Sequence, residues 1–356
     1  MSKTSTMPPA TTTLKVPKYL SPSCQQVVEE DFTATTARVL IHSKLGDPKL
    51  WPSIEQHICN GAALVSSGHY ADMAAVVGEY IWRAYRGRDA EIPGINVGNM
   101  EVTKTYIAQE PQPPEGQWLE METVLQVPDN SSGDIIDATI HSTFRKIKPD
   151  GKKVEDLAEC TIQFEFYYNW LGEWSNQTGL LKTKIANLRT RARTETSGDV
   201  QLMHTKKAYD LFRSFVDYGP KYQNMAEVVC DMKALEATSR LELQTDPGHD
   251  YLGPYYLDAS CHVSGFVCNT ADEDIKKNAY ISHGFDAMKI TPRFRPYPGA
   301  NIENYCHMKP LPQDSSILEG HVYILQDGEV VGLWEGVRFK KIPRRILNVF
   351  LPPRKR

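Results

Sequence analysis

The 356 residues carry 40 Lys and Arg against 44 Asp and Glu, a net charge of −4, and 41% of them are hydrophobic. That is the balance of a globular protein long enough for one large domain or two ordinary ones. It gives no ground for binding nucleic acid or an anionic membrane, and no apolar run reaches the roughly 20 residues needed to span a bilayer.

Residues 1–18, MSKTSTMPPATTTLKVPK, are rich in Ser, Thr and Pro and read as a disordered linker. They lack the apolar core of a signal peptide, so a cytoplasmic location is expected. A first half-domain is assigned to residues 19–175. In it CQQVVEEDFTATTARVLIHS alternates as a strand pair, and LWPSIEQHICNG is rich in turn formers. From Ala71 to Tyr85 a helix is expected, with Met73, Val77 and Ile81 on a stripe facing a core. INVGNMEVTKTYI, QWLEMETVLQVP, ATIHSTFRKIKP and EDLAECTIQFEFY then alternate as antiparallel strands. Tyr167, Tyr168, Trp170 and Trp174 read as core or interface aromatics, and the polar residues 176–200 as a connection.

The second half-domain, 201–353, repeats the scheme. HTKKAYDLFRSFV is a short amphipathic helix with Tyr209, Phe212 and Val216 on one face, and AEVVCDMKALEATSRLELQ is a strand pair. YYLDASCHVSGFVCNTA is an apolar helix, and further strands include a tight hairpin at Asp327-Gly328. PRRILNVFLPP closes the domain, and 354–356 form a basic tail. Strands, one helix, then strands thus occur twice. A helix wrapped by a curved antiparallel sheet, twice in one chain, is an α+β double hot-dog fold.

Chemistry must come from few residues. Seven scattered cysteines show no CxxC and no zinc-ligand spacing, so they read as reduced thiols and no metal is expected. Cys59 and Cys261 lie near candidate site residues, which leaves a nucleophilic thiol open without a thiol-protease context. His57 falls in a loop-like HICNG that would set its imidazole at a helix entrance. A lone histidine is structural unless a partner exists. Asp258 and His262 stand four apart, on one face of the second helix. Asp258 suits an N-cap-like role, or, among apolar neighbours, a carboxylate in need of a donor. A histidine from the other half supplies one, and such a pair can do acid–base work near neutral pH.

HICNGAALVSS is similar to the HxxxGxxxxP motif of double hot-dog polyketide dehydratases, and DASCH to their DxxxQ/H. NGAALVSSGHYADMA, FVDYGPKYQNM, LDASCHVSGFVCN, YISHGFDAMKI and VRFKKIPRRILNVFLPP together resemble the product template domain of fungal non-reducing iterative polyketide synthases. The resemblance runs from about Leu20 to Pro353. Two positions depart from it: Ser66 stands where the family has proline, and Gln56 where it has glycine. The lost proline frees a backbone N–H at the helix entrance.

The resemblance implies regioselective aldol cyclisation and aromatisation, with loss of water, of a linear poly-β-ketone. His57 would be the general base and Asp258 its partner and proton donor, meeting within hydrogen-bonding reach or through one water. Asn60, Ser66, His262, Asn269 and His283 are the substrate-pocket candidates, although a helix C-terminal role also suits Asn269. No cofactor is implied in the domain itself. The substrate would ride on the phosphopantetheine of an acyl carrier protein, with the other synthase domains as partners and a homodimer as the assembly. A dehydratase acting on a β-hydroxyacyl thioester, and a template that only cradles the chain, are the competing readings.

Overall fold

The computed structural model describes residues 12–351 apart from 114, 130–132, 247–249, 272–275 and 298, with side chains from residue 17 onward. Residues 1–11 of the expected linker and the basic tail 354–356 lie outside the described residues.

The first half comprises β1 (Thr12–Lys18), β2 (Gln26–Phe32), β3 (Thr36–Lys44), the short helix α1 (Trp51–Glu55), β4 (His57–Cys59), β5 (Ala62–Ala63), the helix α2 (Ser67–Arg86), and β6 (Gly94–Val102), β7 (Trp118–Gln126), β8 (Thr139–Ile147) and β9 (Lys153–Glu165). A 28-residue helix, α3 (Tyr167–Thr194), leads to the second half. There follow β10 (Val200–His204), α4 (Thr205–Phe212), β11 (Val216–Tyr218), β12 (Met225–Asp231), β13 (Glu236–Leu241) and α5 (Gly253–Thr270). The chain continues through β14 (Asn278–Ile290), β15 (Ile302–Pro310), β16 (Ile317–Gln326) and β17 (Glu329–Pro343) to α6 (Arg344–Phe350).

Fourteen strands form one continuous antiparallel sheet whose order is symmetric about the β6–β14 junction. Outward on one side run β9, β8, β7, β3 and β2, and on the other β17, β16, β15, β13 and β12, with β1 and β10 at the two edges. Each curved half wraps its own helix. α2 packs on β6 and β9, α5 on β13, β15 and β16, and the two helices touch each other. The wrapping follows from what they bury. Met73, Val77 and Ile81 of α2, and Val263, Phe266 and Val267 of α5, are shut off from solvent, each such side chain contributing about 1.5–3 kcal/mol. This is the double hot-dog fold. A second, small sheet joins β5, β4 and β11 and so stitches the halves together at their centre.

Four local expectations need correction. Residues 12–18 of the supposed linker form β1, paired to β2 from Thr12 opposite Glu30 to Lys18 opposite Val27; a polar composition hides β-branched residues that suit an edge strand. Most of the 176–200 connection is the C-terminal part of α3. The HICNG segment is not a loop at a helix entrance: His57 begins β4, and α2 does not start until Ser67. Val216 leaves the expected helical face and opens β11 instead. The Asp327-Gly328 turn is as expected, with both φ angles positive (53° and 81°) as a type I′ hairpin requires. No helix among the described residues is long and apolar enough to cross a membrane.

Candidate active site

His57 is placed by strand pairing rather than by a helix end. In the small sheet it stands opposite Tyr218, and Cys59 opposite Val216, so the first half's β4 is held by the second half's β11. The Tyr218 and Tyr222 rings meet the imidazole edge-on, at centroid distances of 5.2 and 5.7 Å. Tyr222 is itself fixed by donating its hydroxyl to the Ser53 carbonyl (2.7 Å). His57 Nδ1 is buried and finds no hydrogen-bond partner among the described residues. Burial lowers the His57 pKa below its ordinary value, and the nearby Asp258 charge offsets this only in part. The ring is therefore neutral at neutral pH, the state a base needs.

Asp258 and His262 project from one face of α5, and the His262 Nε2 is hydrogen-bonded to the Asp258 carboxylate. Burial opposes the charge of Asp258, but His262, His57 and His69 together hold its pKa below the usual carboxylate value. The other ring nitrogen of His262 lies 3.3 Å from the Tyr209 hydroxyl. Tyr209 is locked in turn, donating to the Tyr222 carbonyl and accepting from the Met225 N–H. Of the two arrangements expected, direct contact or contact through one water, the direct hydrogen bond between His57 and Asp258 is not formed. The i, i+4 geometry of α5 gives Asp258 a nearer partner on its own helix, and His57 and Asp258 face one shared cavity instead.

That cavity encloses about 960 Å³ of space, solvent at its open mouth included. His57, Ser66, Asp258 and His262 are among its polar lining residues, while Phe212, Phe285, Trp334 and Phe339 supply apolar walls. β14 pairs with β6 only from Phe285 to Lys289, and Ser282 and Val102, just past the ends of that pairing, also line the cavity.

The remaining pocket candidates divide. Ser66 lines the cavity and also completes the start of α2: its N–H donates to His69 Nδ1 (3.2 Å), and its hydroxyl lies 3.0 Å from the same atom. The N–H that a proline would lack is thus in use. Asn269 touches the cavity, but its amide is spent on the Gly265 and Tyr280 backbone, tying α5 to β14. Asn60 does not line the cavity. Its left-handed backbone (φ 49°) turns the side chain towards α6, where it donates to Asn348 and to the Leu351 carbonyl. His283 does not line it either. It is the extra residue of a β-bulge, left unpaired when Ser282 and Gly284 take consecutive partners on β17. Gln56 folds over Gly219, where a Cβ would collide with it, and accepts from the Lys221 N–H (3.1 Å).

Tyr209, Tyr218, Tyr222, Ser53 and His69 carry the site's support and were not singled out for it by sequence. For His69 a signal existed: Ser66 and His69 have the spacing of a helix capping box. Its other nitrogen reaches the Ser53 hydroxyl (2.8 Å). Cys59 and Cys261 line the cavity, yet burial pushes both thiols up to about 12, which removes them as nucleophiles.

With this geometry in view, the known proteins fall into place. The family model described as "Polyketide synthase dehydratase N-terminal domain" matches residues 188–348, the half that carries Asp258. A non-reducing polyketide synthase of Zymoseptoria tritici is 43% identical over 96% of this chain, and one of Preussia isomera 35% over 94%. The chain spans about 15% of the length of either relative. Among solved structures, the dehydratase domain from the CurJ module of curacin polyketide synthase superposes with a TM-score of 0.64 at 10% identity, covering 93% of this chain and 99% of that one.

Proposed function

This chain is a dehydratase-like domain of the kind carried by fungal non-reducing polyketide synthases, and from that premise we propose that it directs the aldol cyclisation and aromatisation of a poly-β-ketone. The observation that carries the reading is a neutral, buried His57 facing the Asp258–His262 pair across an apolar-walled cavity. A methylene between two carbonyls is acidic enough for a neutral imidazole to take its proton. The enolate carbon then attacks a ketone further along the same chain, and the new alkoxide takes a proton back from the His57 imidazolium. Loss of a second C–H proton and of hydroxide, as water, leads towards the aromatic ring.

In this scheme Asp258 is an anion that orients His262 and stabilises the His57 imidazolium. Its lowered pKa favours that role over proton donation. The walls bring enolate and ketone together, a contribution of about 7–11 kcal/mol in well-oriented systems. The chain would arrive on the phosphopantetheine of an acyl carrier protein, another domain of the same synthase, and the working unit would be a homodimer.

A dehydratase is the second reading, favoured by the matching family model and the structural neighbours. A synthase named non-reducing, however, makes no β-hydroxyl by reduction, so such an enzyme would lack its ordinary substrate. The test is a synthase reconstituted with His57→Ala. Directed aromatic product should fall about 10²–10⁴-fold, with pyrones from spontaneous closure in its place and chain extension unchanged. Native product at the native rate would leave only a passive cradle. Turnover of a β-hydroxyacyl carrier-protein thioester by the unaltered domain would instead establish the dehydratase.

A further inference from the structure

The outer face of the second half-sheet carries a cleft that the chemistry at His57 does not use. Along β15 the side chains alternate: Cys306 and Met308 enter the main core, while Tyr305, His307 and Lys309 turn to the α3 side. Opposite them on β16 stand Tyr323, His321 and Glu319. The cleft floor is therefore three cross-strand pairs, two of them made of rings: Tyr305 with Tyr323, and His307 with His321. Facing the floor, Gln177, Leu180, Leu181 and Lys184 share one stripe of α3. Leu180 is 61% exposed, a large apolar side chain with nothing over it. The space measures about 1060 Å³, open solvent at its mouth included, which is ample for a small molecule.

Two lysines bracket the ring floor. Lys184 Nζ lies 5.4 Å from the Tyr305 ring centroid and 3.2 Å from its hydroxyl, which donates in turn to Glu236. Lys309 stands at the other end of the floor, about 13 Å along the strand from Tyr305. Glu319 is opposite Lys309 in register but lies 3.6 Å from Arg338, and neither lysine forms an ion pair among the described residues. Burial lowers the His307 pKa; Glu236 opposes this, and the charges of Lys309 and Lys184 reinforce it. The middle of the floor is thus a neutral ring between two cations. We propose that this cleft is a second binding site, for a planar hydroxyaromatic acid. Its rings lie between Leu180 and the rings of His307, His321 and Tyr323, and its two polar ends meet Lys184 and Lys309. A flat ring system suits a floor of rings by offset stacking, and an ammonium on a flexible stem suits an anion at either end. The site stands apart from the proposed cyclisation, since it lies on the other face of the sheet from α5.

The test is calorimetry of the whole domain with 6-hydroxy-2-naphthoate, whose hydroxyl and carboxylate stand at opposite ends of the ring pair. Its neutral parent naphthol and its ring-saturated analogue should each bind about tenfold more weakly, the first for want of charge and the second for want of flat rings. Lys309→Met and Leu180→Glu, both at exposed positions that folding tolerates, should each weaken the naphthoate about tenfold, and Tyr323→Leu about fivefold. His57→Ala should leave its affinity unchanged, so the result is independent of the aldol mechanism. Absence of saturable binding, or equal affinity for the saturated analogue, overturns the proposal. So does binding that ignores Lys309→Met and Leu180→Glu, which would place the naphthoate elsewhere, and in the first cavity if His57→Ala abolished it.

Discussion

His69 shows how a residue type associated with catalysis can be committed to architecture. It accepts from the Ser66 N–H and reaches the Ser53 hydroxyl, and burial lowers its pKa to about 3 from 6.5. Ser66→Pro should fit the backbone, since φ is already −79°, yet it strips both Ser66 donors from a buried nitrogen. Urea denaturation should show a loss of about 1–3 kcal/mol for Ser66→Pro, and less for Ser66→Ala, which keeps the N–H. Equal losses would mean that the N–H is idle. The same burial predicts a pH effect. Between 6.5 and about 3 the unfolded His69 binds a proton that the folded one refuses, so stability falls as pH drops through that window. Asp72 of α2 works the other way. Burial raises its pKa to about 6 from 3.8, against the hydrogen bonds from Ser23 and Tyr251, so the folded state holds the extra proton between those values and gains stability there as pH falls. Asp72→Asn removes that gain, and urea midpoints should then decline more steeply with acid; an unchanged slope would dismiss the assignment. At this scale the sequence was legible wherever helical spacing fixes direction, as for Asp258 and His262. Asn60 and His283 were misplaced because a left-handed residue and a bulge redirect side chains without altering the local pattern.

Among the elements, α3 was the least visible in the sequence. Trp170, Trp174, Leu181, Ile185 and Leu188 are buried against the outside of the second half-sheet, and their spacing of four, seven, four and three is helical. Gly172 and Gly179 mask the pattern, but both face open space where a side chain would meet nothing. Ile185→Ala should therefore cost about 2–5 kcal/mol in urea denaturation without altering acyl-pantetheine binding, because α3 and the cavity lie on opposite faces of the sheet. A parallel loss of binding would show that α3 supports the site. Strands were legible through their alternation. β4 was not, because three residues are too short a run to show a period and the longer of its two ladders comes from the other half of the chain.

For the molecule as a whole, the double strand–helix–strand order could be read from patterning, while the strand order could not. It depends on pairings such as Phe285 with Met100 and Ile41 with Met121, which join segments far apart in sequence and leave no local mark. The symmetric sheet has a consequence for expression. Each half alone would expose β6 or β14 as a long unpaired edge and would hold only one of His57 and Asp258. Separately produced halves should be aggregation-prone, and light scattering should show this for both. A monodisperse single half would indicate that the central junction adds little.

The three-rung ladder between β4 and β11 has a different kind of consequence, for which lengths of chain can be inserted or lost. A shift of one residue in a strand turns every side chain to the opposite face, and this ladder has only three pairs with which to resist one. A residue inserted between Phe212 and Val216 would move Tyr218 out of step with His57 and spoil the clamp on the imidazole. The Asp327-Gly328 hairpin joins β16 to β17 in the large sheet, not in this ladder, and a change of length there leaves it untouched. Insertion scanning should find the proposed cyclisation lost abruptly within those few residues of the α4–β11 link, while soluble expression persists. The history of such domains would then record drift in outer turns and near-constant spacing here, a constraint on counting rather than on composition.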